Sequence, residues 1–272
     1  MRLNRTVLSF AVALVLVGCS SSGEQNSQKE ESVEILYNKA AAALDEEQYV
    51  QAARYFDEVE RQHPYSQWAT QAQLMSAYSS YRSQRYDEAI LALDRFIELH
   101  PGSEDIDYAY YLRALSFYEQ ISDVRRDQEM TALALQSLDT LVRLYPESKY
   151  SRDAKLKRDL TMDHLAGKEM EIGRYYLNRG HVNAAINRFL EVIRNYQTTT
   201  HTAEALHRLV ECYLTLGLKG EATRIAAVLG YNYPGNKWYE RSYELLDDNA
   251  RQQIMSDRGF VDRTIESIFK PE

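Results

Sequence analysis

Two cysteines in 272 residues leave room for one disulfide at most, which excludes a disulfide-stapled scaffold. Five prolines, eleven glycines, 44% hydrophobic and 26% charged residues exclude a collagen-like fibre and wholesale disorder. The only membrane-length candidate sits at the start. There, Thr6–Val17 is an uncharged stretch of twelve residues, too short for a stable spanning helix. Positive charge is in deficit: 32 Lys and Arg against 40 Asp and Glu give −8, a balance that argues against a nucleic-acid binder tracking phosphates. The HExxH, GxSxG, GxGxxG and GxxxxGK[ST] signatures are missing, and with them the commonest metal, acyl-transfer and nucleotide sites. His201 and His207 are six residues apart with no Cys or acidic pair at ligand spacing, so a metal site is not expected. Glu104, Asp105 and Asp107 lack the glycine and bidentate Glu of a calcium loop and suit the start of a helix. No catalytic residue is assigned and the chain is not expected to be an enzyme.

The N-terminal stretch follows Arg2 and Arg5 and ends in Leu16-Val17-Gly18-Cys19. Charge followed by a short apolar run is the pattern of an export signal, and its end resembles the bacterial lipobox. That resemblance implies that residues 1–18 are removed and that Cys19 becomes the N-terminus, carrying diacylglyceryl and N-acyl (palmitate-type) groups. Ser20, standing where an Asp would signal inner-membrane retention, implies an outer-membrane, periplasm-facing destination. No other cofactor is expected. Residues 19–32 are polar and small and read as a flexible tether. Cys212, in an apolar helical pattern, is expected to be a buried, inert thiol.

From Val33 onward, apolar residues recur at spacings of three and four, which predicts an all-α body. Four of the five prolines stand in one equivalent context, at Pro64, Pro101, Pro146 and Pro234, each preceded by His or Tyr. Twelve residues before each lies an alanine: Ala52, Ala89, Ala134 and Ala222. A further unit keeps the register with Ala185 and Tyr196 but carries Gln197 in place of proline. Four residues beyond each alanine comes Phe56, Leu93, Leu138, Phe189 or Ala226, and three further on Val59, Phe96, Leu141, Val192 or Leu229. Small residues let two helices cross closely, the next two positions fill the seam, and proline ends the helix. Ala40, Ala77, Ala114, Gly173 and Val210 take the crossing position on the preceding helices. The pattern resembles the tetratricopeptide repeat, whose unit is 34 residues. It implies a right-handed superhelical solenoid of about five helix pairs over residues 33–237. The remainder, 238–272, is expected to be a capping or partner-binding helical tail, broken near Asp247-Asp248-Asn249 and Gly259. Spacings of 37, 45, 51 and 37 between the alanines mean extra length in turns or helices.

In tetratricopeptide repeats, positions three before and one and four after the first-helix crossing residue face the concave groove. Carried onto this chain, they give Tyr37, then Tyr78 and Tyr81, then Tyr111 and Tyr118 with Tyr108 one turn earlier. The later units give Met170, Arg174 and Leu177, then His207, Glu211 and Leu214. Tyrosine is abundant, 21 against seven Phe and two Trp, and a tyrosine-lined groove suits an extended peptide bearing aromatic side chains, with Arg82 and Arg113 as the cations to meet a carboxylate. Inter-helix packing with wet hydroxyls is an equal reading for any single ring.

Signal, lipobox, tether and repeats together resemble the BamD (YfiO) family of outer-membrane assembly lipoproteins, most clearly in HPYSQWATQAQL, DRFIELHPGSEDIDYAYYLRALSFY and LVRLYPESKYSRDAK. The resemblance implies a non-catalytic scaffold of the Bam complex. Its N-terminal repeats would engage unfolded outer-membrane proteins, and its C-terminal repeats would dock the barrel-forming, BamA-like subunit and other Bam lipoproteins. Matching the family's docking arginine points to Asn187 and Arg188. The alternatives are a tetratricopeptide lipoprotein coordinating cell-wall synthesis or pilus assembly, and an envelope hydrolase without a recognisable motif.

Overall fold

A computed structural model describes residues 31–256. Cys19 and most of the tether, and the tail with Gly259, Val261, Ile265, Ile268 and Phe269, lie outside the described residues. From Val33 the chain belongs to one unit, and its described part contains twelve α-helices and no strand. Ten of them make five successive pairs: α1 (Val33–Asp45) with α2 (Tyr49–Gln62), α3 (Gln67–Arg82) with α4 (Tyr86–Leu99), α5 (Ile106–Tyr118) with α6 (Glu129–Leu144), α7 (Ser151–Asn178) with α8 (Val182–Asn195), and α9 (Thr202–Thr215) with α10 (Lys219–Asn232). Two short helices follow, α11 (Lys237–Leu245) and α12 (Asp248–Ser256). Each of the first ten packs on its neighbours in sequence, as a solenoid requires.

The small residues sit where the helices cross. Ala40, Ala52, Ala77, Ala89, Ala114, Ala134, Ala185 and Ala222 are fully buried, and Phe56, Leu93, Leu138 and Phe189 fill the seams beside them. At Gly173 the approach is closer still: a Cβ there would lie 2.4 Å from the Phe189 ring, so no larger residue fits without displacing it. The turn inside a pair has one conformation. Five residues before the second-helix alanine stand Glu47 (φ 59°), Gln84 (φ 62°), Gly180 (φ 77°) and Gly217 (φ 75°). Glycine enters this left-handed region freely, whereas Glu47 and Gln84 adopt it at a cost. Unit three has no such turn, because residues 119–128 make a longer loop. That loop and the 28 residues of α7 account for the wide spacings in the middle of the chain.

A second regularity ties one unit to the next. Four residues after Pro64, Pro146 and Pro234 stand Trp68, Tyr150 and Trp238, each at or just before the start of the next helix. Each meets the residue three before the previous crossing point: Trp68 on Tyr37 at 4.8 Å, Tyr150 stacked on Tyr111 at 4.8 Å, and Trp238 on His207 at 5.1 Å between ring centroids. Offset ring pairs of this kind add about 0.5–1.5 kcal/mol beyond the area they bury. By this register α11 stands where the first helix of a sixth unit would. Asn236 caps it, its side chain accepting from Trp238 N at 2.9 Å. Tyr239 lies close against Gly230, where a Cβ would meet the ring at 2.6 Å. The outward side of α11 is polar, with Lys237, Glu240, Arg241 and Glu244 exposed, as a terminal cap demands. α12 adds Ala250 and Ile254 to the last core.

Candidate functional site

The first helices of units two and three bring four of the predicted groove tyrosines together. Tyr78 and Tyr81 come from α3, one turn apart, and Tyr108 and Tyr111 from α5. Tyr108 lies near Tyr78, Tyr81 and Tyr150. Tyr150, from the start of unit four, was not predicted; it stacks on Tyr111 at an interplanar angle of 15° and tilts onto Tyr108 at 5.1 Å. Burial raises the pKa of Tyr108 and Tyr111, and burial followed by the nearby Glu119 carboxylate pushes Tyr81 to about 12. These phenols therefore stay protonated at neutral pH, with Tyr111 and Tyr81 bonded to the Asp153 and Glu119 carboxylates.

Cations flank the rings on both sides. Arg82 donates to the Tyr78 hydroxyl at 2.7 Å and to the Tyr49 hydroxyl, its guanidinium 4.6 Å from the Tyr49 ring centroid. No carboxylate among the described residues forms an ion pair with it. On the other side Tyr111 donates to Asp153 at 2.7 Å, and Lys157 donates to the same carboxylate at 3.1 Å while lying 5.6 Å from the centroid of Tyr118. Burial works against ionised Asp153, but the bonds from Lys157 and Tyr111 outweigh it and hold the carboxyl below its ordinary range. Tyr118 thus joins the site at its edge. Tyr37, in unit one, is not part of this cluster: it packs edge-on to Phe56 at 5.4 Å and against Trp68 at 4.8 Å. Arg113 is already paired with Asp94.

Of the equivalent positions in the last two units, Met170 and His207 are closed, while Arg174, Leu177, Glu211 and Leu214 are half-buried. Met170 is fully buried, Arg174 bridges Glu171 and Glu204, and His207 is 3% exposed. His207 is covered by α11, with Ser242 Oγ 2.8 Å from Nδ1 and Trp238 over the ring. Glu211, 3.5 Å from His207 and 2.8 Å from Arg208, is pulled down to about 2 by its hydrogen bonds to them. Cys212 beside it is fully buried, and burial pushes its thiol to about 12.

Asn187 and Arg188 lie on α8. Arg188 donates to Glu169 at 3.0 Å, and both line an open surface cavity of about 380 Å³ with Tyr176, Ala184, Asn187 and Glu191. An arginine at the mouth of a cavity, held by one carboxylate and half exposed, can exchange that partner for another. Among the described residues no group of three His, Cys, Asp or Glu side chains is placed to hold a metal ion, and no helix is long and apolar enough to cross a membrane.

Residues 29–228 match the family model described as YfiO, outer membrane lipoprotein. The chain is 50% identical over 247 residues to the outer membrane protein assembly factor BamD of Caulobacter vibrioides, covering 90% of this chain and 81% of that one. It is 49% identical to BamD of Rickettsia prowazekii over 87% of this chain and 94% of the other. Among solved structures, the TPR domain of P58(IPK) aligns over 87% of this chain and 64% of that one, with a TM-score of 0.42 at 17% identity.

Proposed function

The chain belongs to the BamD (YfiO) family of outer membrane protein assembly factors, and from that premise we propose that it divides the work between two surfaces. The tyrosine floor of units two and three binds unfolded outer-membrane proteins through a segment carrying aromatic side chains and a carboxylate. The face around Asn187 and Arg188 docks the barrel-forming, BamA-like subunit, and the C-terminal repeats hold the other lipoproteins of the Bam complex. Acyl groups on Cys19 keep the protein on the periplasmic side of the outer membrane without a spanning helix, each buried CH₂ contributing about 0.8 kcal/mol.

The observation that carries this reading is the state of Arg82. Arg113, Arg174, Arg188 and Arg208 are each satisfied by a carboxylate of this chain. Arg82 is oriented by two phenol hydroxyls and keeps its charge for a ligand. Neutral phenols beside a fixed guanidinium make a surface that accepts aromatic rings and a terminal carboxylate together. The role is that of a scaffold rather than a catalyst: the two carboxylates displaced most, Glu58 and Glu211, are held low by Arg61 and by His207 with Arg208, the reverse of a poised general acid.

The test is gentle detergent extraction of the tagged lipoprotein from its envelope, with mass spectrometry of what remains attached. A stoichiometric outer-membrane barrel protein with periplasmic repeats is the expected companion. Cell-wall enzymes or pilus components in its place would overturn the reading.

A further inference from the structure

α7 is twice as long as the helix it pairs with. Val182–Asn195 supplies 14 residues against 28 in Ser151–Asn178, and the α8 side chains that meet α7 do so at Glu169 and beyond: Arg188 on Glu169, Phe189 on Gly173, and His181 near Tyr176. The N-terminal half of α7 packs on α6, with Ala154 buried and Arg158 reaching Asp139, but it has no second helix of its own.

One stripe runs the whole length of α7. Arg152, Leu156, Leu160, Asp163, Gly167, Met170 and Arg174 follow at steps of three and four and share a face. Its C-terminal part is covered by the next unit. Asp163 accepts from Thr200 N at 2.9 Å, Gly167 lies under His201, Met170 is buried, and Arg174 meets Glu204. Its N-terminal part is bare. Leu156 is 60% and Leu160 61% exposed, one turn apart, and Arg152 and Lys155 beside them are exposed, with Lys149 one turn before. These three cations have no carboxylate partner among the described residues, in contrast to Arg158 and Lys157 on the same helix. The strip from Arg152 to Leu160 is about 12 Å long at 1.5 Å per residue, two turns of helix.

We propose that the exposed face formed by Arg152, Lys155, Leu156 and Leu160 is the seat of a short acidic amphipathic helix from another protein, which takes the place of the second helix that α7 lacks there. The leucines meet apolar side chains one turn apart on the incoming helix, and Lys149, Arg152 and Lys155 meet its carboxylates. Asp159, exposed between the two leucines, is paired with Arg158 at 3.0 Å. The seat borders the tyrosine floor, Lys149 lying 5.0 Å from the Tyr150 ring centroid, and its leucines add a contact that neither the tyrosines nor Arg188 supplies.

The experiment places a photo-crosslinking residue at position 156 of the full-length lipoprotein in its native envelope and maps the crosslinked peptide. The expected product is one segment of another protein with acidic residues on one side and paired apolar residues on the other. Arg152→Glu with Lys155→Glu should cut its yield about tenfold, as loss of matched charge does, and reversing the mapped acids to Lys should restore it. The same yield should fall with the milder Leu160→Gln, a change at a side chain 61% exposed that leaves the thermal melt in place. Crosslinks to phospholipid, to residues 1–30 or 257–272 of this chain, or to a neutral or basic segment would each overturn the proposal. So would the absence of a crosslink, or a yield indifferent to the charge reversal.

Discussion

Units two and three and units four and five use the same register positions for opposite ends. In the first region the positions facing the concave side carry Tyr78, Tyr81, Tyr108 and Tyr111, whose phenols remain within reach of a ligand. In the second, the matching positions are buried as Met170, ion-paired as Arg174, or covered as His207 beneath Trp238 and Ser242. A repeat thus fixes where a side chain points, while the next unit decides whether anything is left for a partner. The second region instead exposes Arg188 on α8 and the leucines at the start of α7.

The largest expected effect comes from breaking the closed region at its centre. Phe189→Ala removes a fully buried ring that fits against Gly173 and should cost about 3–5 kcal/mol in urea unfolding. Gly173→Ala approaches the same seam from the other side and should cost about 1–3 kcal/mol through overpacking. Its counterpart Ala77→Gly, where the open region already accommodates a methyl, should cost about 1 kcal/mol, mainly in helix propensity. Equal costs for the two changes would remove the packing distinction between the regions.

Trp238→Ala should uncover His207 without disturbing the tyrosine floor. Hydrogen exchange would then rise in α11 and stay unchanged in α3 and α5; a rise in all three would mean the cap stabilises the whole solenoid. The smallest effect is a pH dependence. Glu211 is held at about 2 against an ordinary 4.5, so its contribution is complete above pH 4.5 and is lost as pH falls toward 2. Glu211→Gln should flatten that part of the stability profile. Glu58 is also held at about 2, but by Arg61 and Gln62 on its own helix, so Glu58→Gln should change the profile less.

The helix pairs were legible because their determinants are local: small residues at fixed spacing, proline at the end of four of the five units, glycine at 180 and 217. The contacts between units were legible only in part. Nothing near Tyr150 in sequence announces that it stacks on Tyr111, 39 positions earlier, although its place four residues after Pro146, shared with Trp68 and Trp238, is a signal that can be read. The length of α7 was hidden because Gly167 and Gly173, which in isolation weaken a helix, are there to admit His201 and Phe189.

The central claim is that substrate and partner contacts are separable, and it is tested most directly by comparing Arg82→Ala with Arg188→Ala in two assays on the same preparations. These are binding of a peptide ending in an aromatic residue with a free carboxylate, and co-extraction of the barrel-forming subunit. Arg82→Ala should weaken the peptide about tenfold, a charge-assisted contact being lost, and leave co-extraction intact, while Arg188→Ala does the reverse. Loss of the same partner by both variants would contradict the division into two surfaces.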